Sequence, residues 1–268
     1  MQRLTHSFKF EVIPLPPYDF NLTVRNPAGW HLFTPFEIYE ESILWTATHF
    51  ATSLIGVKLS SRGDVDDPMI VARVFSSEGL EQAQQEDLKK LIKNALGADQ
   101  DLSQFYSMAR MDNILMHAVE DLYGMHDTFP ITIFPDAVLA ILLQMATLKR
   151  SNEMMASFIK TYGEVAEFDG RRVIAWPTPE RISGISESEL ARKCKAGYRA
   201  KHIVKLAKRL AEGGFPTAQR LEKMSPEKAK MTLIELPGIG DYSADIISPH
   251  GGFPIDVWSA EVFGKLLF

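Results

Sequence analysis

One cysteine, Cys194, stands in a chain of 268 residues. No disulfide can close within it, which points to a reducing compartment, the cytoplasm. A lone thiol also rules out a four-thiolate iron–sulfur cluster. Long apolar runs are missing as well. The longest, Ala137 to Ala146, is interrupted by Gln144 and falls well short of the ~20 residues a membrane helix needs, so no membrane partner is expected. Met1 to Ser7 has no apolar core of the kind a secretory leader carries, and no secretory signal is expected. Repeats and low-complexity tracts are absent. A positive excess is absent too: the formal net charge is −5, which by itself argues against a polyanionic partner.

The charge is unevenly spread. Residues 191–230 carry twelve Lys/Arg against three Asp/Glu, a local net of +9, while the rest of the chain has a net of −14. A charge run is commonly a solvated helix face. This one leads straight into a glycine-rich turn, and a basic surface facing nucleic acid is the better reading. With 46% hydrophobic and 24% charged residues the composition is that of a globular protein with a sizeable core.

Organisation follows from periodicity. Phe8 to Val12 alternates with period two, and Asn21 to Val24, Ile43 to Thr48, Leu54 to Leu59 and Met69 to Phe75 are short runs rich in branched and aromatic residues. They predict a small antiparallel sheet. After Glu78-Gly79 the pattern turns helical. Thr178-Pro179, Ser186 to Glu189 and Ser225-Pro226 are helix starts, and Arg199 to Glu212 carries an apolar stripe that stops at Gly213-Gly214. Asp169-Gly170, between Val165 to Phe168 and Arg172 to Trp176, predicts a short β-hairpin insertion. The expected class is α+β, with an N-terminal antiparallel sheet domain over residues 1–82 and a larger all-helical domain over 83–268.

The most informative stretch is Leu236-Pro237-Gly238-Ile239-Gly240, with Asp256 sixteen residues after its last glycine. Two glycines one residue apart let the backbone turn sharply and leave amide N–H groups facing outward at the start of a helix, an arrangement suited to phosphate. A plain tight connection is the alternative. Asp256, before Val257 to Val262, reads as a helix N-cap; a capping carboxylate stays ionised at the positive helix end, which is also what a catalytic anion needs.

Together these residues resemble the helix-hairpin-helix (HhH-GPD) superfamily of DNA glycosylases, and within it the 3-methyladenine and 8-oxoguanine DNA glycosylases of archaea and bacteria. The resemblance extends over roughly residues 85–268. Gly97 to Tyr106 is similar to the entry of the family's helical domain, Phe134-Pro135-Asp136 with Ala140 to Met145 to its central helix, and Gly197-Tyr198-Arg199-Ala200 to a segment of the 8-oxoguanine enzymes. Tyr18 to Val24 is similar to the sheet domain of the 3-methyladenine enzymes.

That resemblance implies a set of roles. Asp256 would be the catalytic carboxylate and Tyr242, two residues after Gly240, the aromatic ring that stacks on the flipped base; packing within the hairpin is the alternative for Tyr242. Gly238, Ile239 and Gly240 would hold the DNA backbone. Met145 would be the wedge that fills the gap left by the flipped nucleotide, unless it is core. Arg150 and Arg199 match positions that contact the orphaned partner base, or else touch phosphate or solvent, and Tyr198 would stack beside the gap or pack inside. The carbonyls of Ile234, Leu236 and Ile239 match a monovalent-cation site, Na+ or K+. No other cofactor is expected. The implied partner is double-stranded DNA with a damaged base, and the implied protein a monomeric, prokaryotic, cytoplasmic enzyme working at the nucleoid.

A lysine stands at the Tyr242 position in relatives that also cleave the strand; its amine attacks the sugar. A phenol cannot form that Schiff base, so monofunctional hydrolysis of an alkylated purine such as 3-methyladenine is expected. An 8-oxoguanine glycosylase is the alternative within the enzymes, and a non-catalytic DNA-binding or damage-sensing protein the alternative outside them. Two features depart from the family. Asp256 lies only fourteen positions after Tyr242, with Ser248 to Gly252 as a loop in place of a longer helix, and only twelve residues follow Asp256 where relatives continue with further helices. A short lineage and a chain that continues beyond Phe268 are both compatible with the second.

Overall fold

A computed structural model describes residues 1–25, 36–129, 131–250 and 257–267. The chain divides into two units, residues 1–131 with 164–176, and residues 132–163 with 177–268. The boundary expected at residue 82 falls inside the first unit.

The first unit contains strands β1 (Gln2–Arg3), β2 (His6–Val12), β3 (Ile38–Glu40), β4 (Ile43–Phe50), β5 (Ser53–Gly63) and β6 (Pro68–Ser76), with helix α1 (Phe20–Arg25) between β2 and β3. Helices α2 (Gln82–Ala95), α3 (Ser103–Ala109) and α4 (Leu115–Asp121) follow, and β7 (Glu164–Phe168) and β8 (Arg171–Ala175) return to the unit later in the chain. Five strands form an antiparallel sheet in the order β2-β6-β5-β4-β3, as the alternating apolar runs predict. On one face Ile55, Val57 and Leu59 of β5 and Ile70, Ala72 and Val74 of β6 pack with Leu88 and Ile92 of α2. The opposite face is covered by the β7–β8 hairpin, and Phe168 lies against Gly56, where even a methyl group would come within 2.4 Å of the ring. Asp169 (φ 48°) and Gly170 (φ 71°) make the two-residue turn that their sequence predicts. β1 adds to β7 in parallel, a pairing between distant segments without a local signal.

One expected strand is a helix. Asn21 to Val24 lies in α1, because the Asp19 carboxylate accepts from the Leu22 N–H at 2.8 Å and caps a turn whose Phe20, Thr23 and Val24 are buried at helical spacing. The β-branched Thr23 and Val24 favour a strand only when that cap is overlooked.

The second unit is helical among the described residues: α5 (Ile133–Leu143), α6 (Leu148–Tyr162), α7 (Pro179–Ser183), α8 (Glu187–Cys194), α9 (Arg199–Ala211), α10 (Ala218–Glu222), α11 (Pro226–Ile234), α12 (Asp241–Ile247) and α13 (Val257–Leu267). α5 is its centre. Phe134, Ala137, Val138, Ala140, Ile141 and Leu142 are all buried, and α6, α9 and α12 pack around it. The starts read from sequence hold: Thr178, Ser186 and Ser225 each accept a backbone N–H with the side chain, and Pro179 and Pro226 occupy first-turn positions where no N–H is needed. No helix among the described residues is long and apolar enough to cross a membrane.

Candidate nucleic-acid interface

α9 separates its faces cleanly. Ala200, Ile203, Val204, Leu206 and Ala207 are buried, while Lys201, Lys205 and Lys208 are exposed in one stripe at spacings of four and three. The basic excess of residues 191–230 is thus partly a continuous cationic surface.

The hairpin between α11 and α12 is anchored by Leu236 and Ile239, both buried. The Ile239 N–H donates to the Leu236 carbonyl at 3.1 Å and closes the turn, so that amide is not among those left for a ligand. Among the described residues no partner meets the N–H groups of Gly238 and Gly240. The two glycines differ in necessity. Gly238 sits at φ +84°, a region L side chains rarely adopt. Gly240 has ordinary extended backbone and open space where a side chain would stand. Local backbone geometry requires the first glycine; nothing among the described residues requires the second.

At the end of α5 the chain turns at Gln144, and Met145 follows at φ +50°, with a side chain 93% exposed. The core alternative for Met145 is therefore overturned. A left-handed conformation costs a non-glycine residue roughly 1–2 kcal/mol, and here it presents an apolar side chain to solvent. The turn is pinned on its far side: Thr147 caps α6 by accepting the Arg150 N–H, and the Ser151 hydroxyl donates to the Leu142 carbonyl at 3.0 Å.

The remaining expected residues are distributed around that turn. Tyr198 is 53% exposed, with its hydroxyl 3.5 Å from the Gln144 carbonyl. Arg199 is only 8% exposed; its guanidinium donates to the same carbonyl through Nε, at 3.0 Å, and through Nη2, and lies 4.8 Å from the Tyr198 ring centroid. Arg150 donates through Nη2 to the Lys195 carbonyl at 2.8 Å and lies 3.6 Å from Glu153. Tyr242 is half-buried in the first turn of α12. Gln144 Nε2 donates to the Gly238 carbonyl at 2.7 Å, so the structure brings Met145, Tyr198, Arg199 and Gly238 together through Gln144. Asp256 lies outside the described residues.

Solved structures with the same architecture exist. The 3-methyladenine DNA glycosylase of Archaeoglobus fulgidus matches with a TM-score of 0.78 at 19% identity, covering 97% of this chain and 86% of that one. The 8-oxoguanine glycosylase/lyase of Clostridium acetobutylicum matches with a TM-score of 0.69 at 15% identity, covering 98% and 87%. The fold is that of the helix-hairpin-helix DNA glycosylases. No family model matches the chain. By sequence it is 27% identical over 193 residues to a DNA-3-methyladenine glycosylase of Bacillus subtilis, a match covering 70% of this chain and 63% of that protein. It is 23% identical over 205 residues to a probable N-glycosylase/DNA lyase of Methanothermobacter thermautotrophicus, covering 68% and 65%. The chain thus spans just under two thirds of the length of these curated relatives.

Within this fold three polar residues have roles that sequence reading did not assign. Gln144 supplies the carbonyl that Tyr198 and Arg199 meet. Lys230 on α11 sits 2.9 Å from Asp245 and 3.6 Å from Asp241 on α12, and hydrogen bonding to Asp245 raises its pKa. Asp136, in the first turn of the otherwise apolar α5, keeps partial exposure, yet desolvation pushes its carboxyl up to about 7. An acid in an apolar helix was the visible signal for Asp136. The Lys230 bridge depends on helix packing and has no comparable local signal.

Proposed function

We propose that the chain is a DNA glycosylase that hydrolyses the bond between a flipped, damaged purine and its deoxyribose, with an alkylated base such as 3-methyladenine as the favoured substrate. The observation that carries this reading is the Gln144 junction, which joins an exposed apolar turn, an aromatic ring and a glycine hairpin on one unit. A duplex-engaging surface needs a backbone anchor and a side chain able to enter the stack, and here both stand on one rigid connection. Base chemistry requires that the nucleotide leave the duplex, at a cost of a few kcal/mol. In this reading Met145 fills the vacated space, Tyr198 borders it, and Gly238, Gly240 and the α9 lysines hold phosphates.

The chemistry is assigned to Asp256. Its carboxylate stabilises the positive charge that develops on the sugar as the C1′–N bond breaks. Asp256 orients or deprotonates the water, whose oxygen adds to C1′ while its proton passes to the carboxylate and on to solvent; the alkylated purine, cationic while bound to the sugar, leaves as the neutral base. Tyr242 stacks on the base rather than attacking the sugar. Hydrolysis takes only water, so no redox or group-transfer cofactor enters the scheme. A monovalent cation on the carbonyls of Ile234, Leu236 and Ile239 fits a neutral oxygen donor set. The Leu236 oxygen accepts from the Ile239 N–H and retains a second lone pair. Such a cation would add positive charge beside the phosphate.

The test is a panel of duplexes, each with one lesion, scored for free base with the unmodified protein and with Asp256→Asn. Release of alkylated purine by the former, reduced roughly 10²–10³-fold in the latter, is expected. Release of 8-oxoguanine alone would shift the substrate to the alternative suggested by Gly197 to Ala200. Binding without release of any base favours the damage-sensing alternative.

A further inference from the structure

Gln144 uses its two ends on different elements. Its backbone carbonyl collects the Arg199 guanidinium from the first turn of α9 and the hydroxyl of Tyr198, the residue just before that helix. Its side-chain Nε2 donates to the Gly238 carbonyl at 2.7 Å and reaches the Ser243 hydroxyl at 3.3 Å, one on the hairpin and one on α12. Met145, next in the chain, is the left-handed, exposed turn residue. A displacement of the hairpin along the Gly238 carbonyl direction therefore pulls on the residue whose backbone sets where Met145 points. On the other side, the buried charge of Arg199 makes the Gln144 carbonyl costly to move, because a guanidinium that loses its acceptor is left desolvated.

We infer that Gln144 is a positioning residue that locks the glycine hairpin and the Met145 turn into one register, so that phosphate capture and insertion of Met145 into the base stack occur as a single event. The inference rests on the glycosylase reading for its purpose, and on the hydrogen bonds alone for its mechanics. Arg199 in this arrangement buttresses the turn from beneath. The amide is the suited group: it donates to two oxygens, whereas a carboxylate of the same shape would meet the Gly238 carbonyl as a second acceptor.

The experiment separates insertion from chemistry. A duplex carrying a tetrahydrofuran abasic analogue beside 2-aminopurine reports unstacking by fluorescence, without any base being released. Gln144→Leu and Gln144→Glu are compared with the unmodified protein for this signal, for affinity toward undamaged duplex, and for melting temperature. Expected is a fluorescence rise cut at least threefold in both variants, with undamaged-duplex affinity within about twofold and single-turnover base release slowed about tenfold. An unchanged fluorescence response in either folded variant overturns the inference. So does a parallel loss of affinity, signal and melting temperature in both, which would make Gln144 plain hairpin packing. The fluorescence arm is read even where no lesion is excised, so failure of the glycosylase reading leaves this test standing.

Discussion

Gly238 faces His202 so closely that a methyl group on the glycine would lie 2.7 Å from the histidine Cβ. Crowding and a φ of +84° act together at that position, whereas Gly240 has neither constraint. Gly238→Ala should therefore destabilise the fold, by roughly 1–2 kcal/mol from the backbone alone and more from the contact with His202. Gly240→Val should melt within a degree or two of the unmodified protein but bind damaged and undamaged duplexes about tenfold more weakly, since phosphate contacts position without specifying sequence. Melting curves beside binding titrations decide it. A Gly240→Val protein that loses affinity only for the lesion duplex would contradict a phosphate-holding hairpin.

Asp241 is an unexpected neighbour for a phosphate. Its side chain is 85% exposed at the first position of α12, directly after Gly240, and Lys230 at 3.6 Å offsets only part of its charge. Asp241→Asn should tighten DNA binding roughly two- to fivefold at low salt, the scale of one exposed charge, with the gain shrinking as salt is raised. The same change removes an acid from a helix N-terminus and should lower stability by at most about 1 kcal/mol. Weaker binding by the asparagine variant would place the phosphate elsewhere.

Much of this arrangement is legible in the sequence alone. The strands β2, β4, β5 and β6 follow from runs of branched and aromatic residues, the β7–β8 hairpin from Asp169-Gly170, and the glycine hairpin from its own motif. What escaped reading depends on packing. Arg199 looks like a surface base on a cationic helix, and only the approach of the α5 terminus gives its guanidinium an acceptor and buries it. Asn21 to Val24 has strand-like residues, and only the Asp19 cap and the burial of Phe20, Thr23 and Val24 decide for a helix. Met145 shows the reverse case. Its type suggests core, yet a left-handed turn leaves it in solvent, and sequence periodicity carries no trace of that φ.

Asp136 makes stability depend on pH in a specific direction. Its carboxyl is pushed up to about 7 in the folded chain from the ordinary 3.8, so the folded state holds a proton that the unfolded chain gives up. The resulting cost is absent below about pH 4, grows between pH 4 and 7, and is complete above 7. Asp136→Asn keeps the shape and removes the charge. It should raise stability at pH 8 by about 2 kcal/mol, discounted from the full shift because the side chain keeps some contact with solvent. At pH 4 the two proteins should melt together. A stabilisation of equal size at both pH values would show that desolvation of the carboxylate is not the cause.

Tyr242 sets the expected product. The phenol stands in the first turn of α12, two residues after Gly240, at the position where the family resemblance implies an amine in strand-cleaving enzymes. A strand cut by β-elimination needs a Schiff base between an amine and C1′, and a phenolic oxygen cannot form one. Lys265, the lysine nearest Asp256 in sequence, is engaged on α13 with Glu261 at 2.6 Å, one turn back along the helix. Lys230 on α11 is held between Asp241 and Asp245, and hydrogen bonding to Asp245 raises its pKa and favours the protonated, non-nucleophilic form. The product should therefore be an intact strand with an abasic site, and borohydride should trap no protein–DNA adduct. Tyr242→Lys should yield a trappable adduct only if the fourteen-residue spacing to Asp256 still aims the new amine at the sugar. Denaturing gels of the product strand, with and without alkali, read the outcome. Efficient trapping by the unmodified protein would overturn both the monofunctional reading and the stacking role of Tyr242.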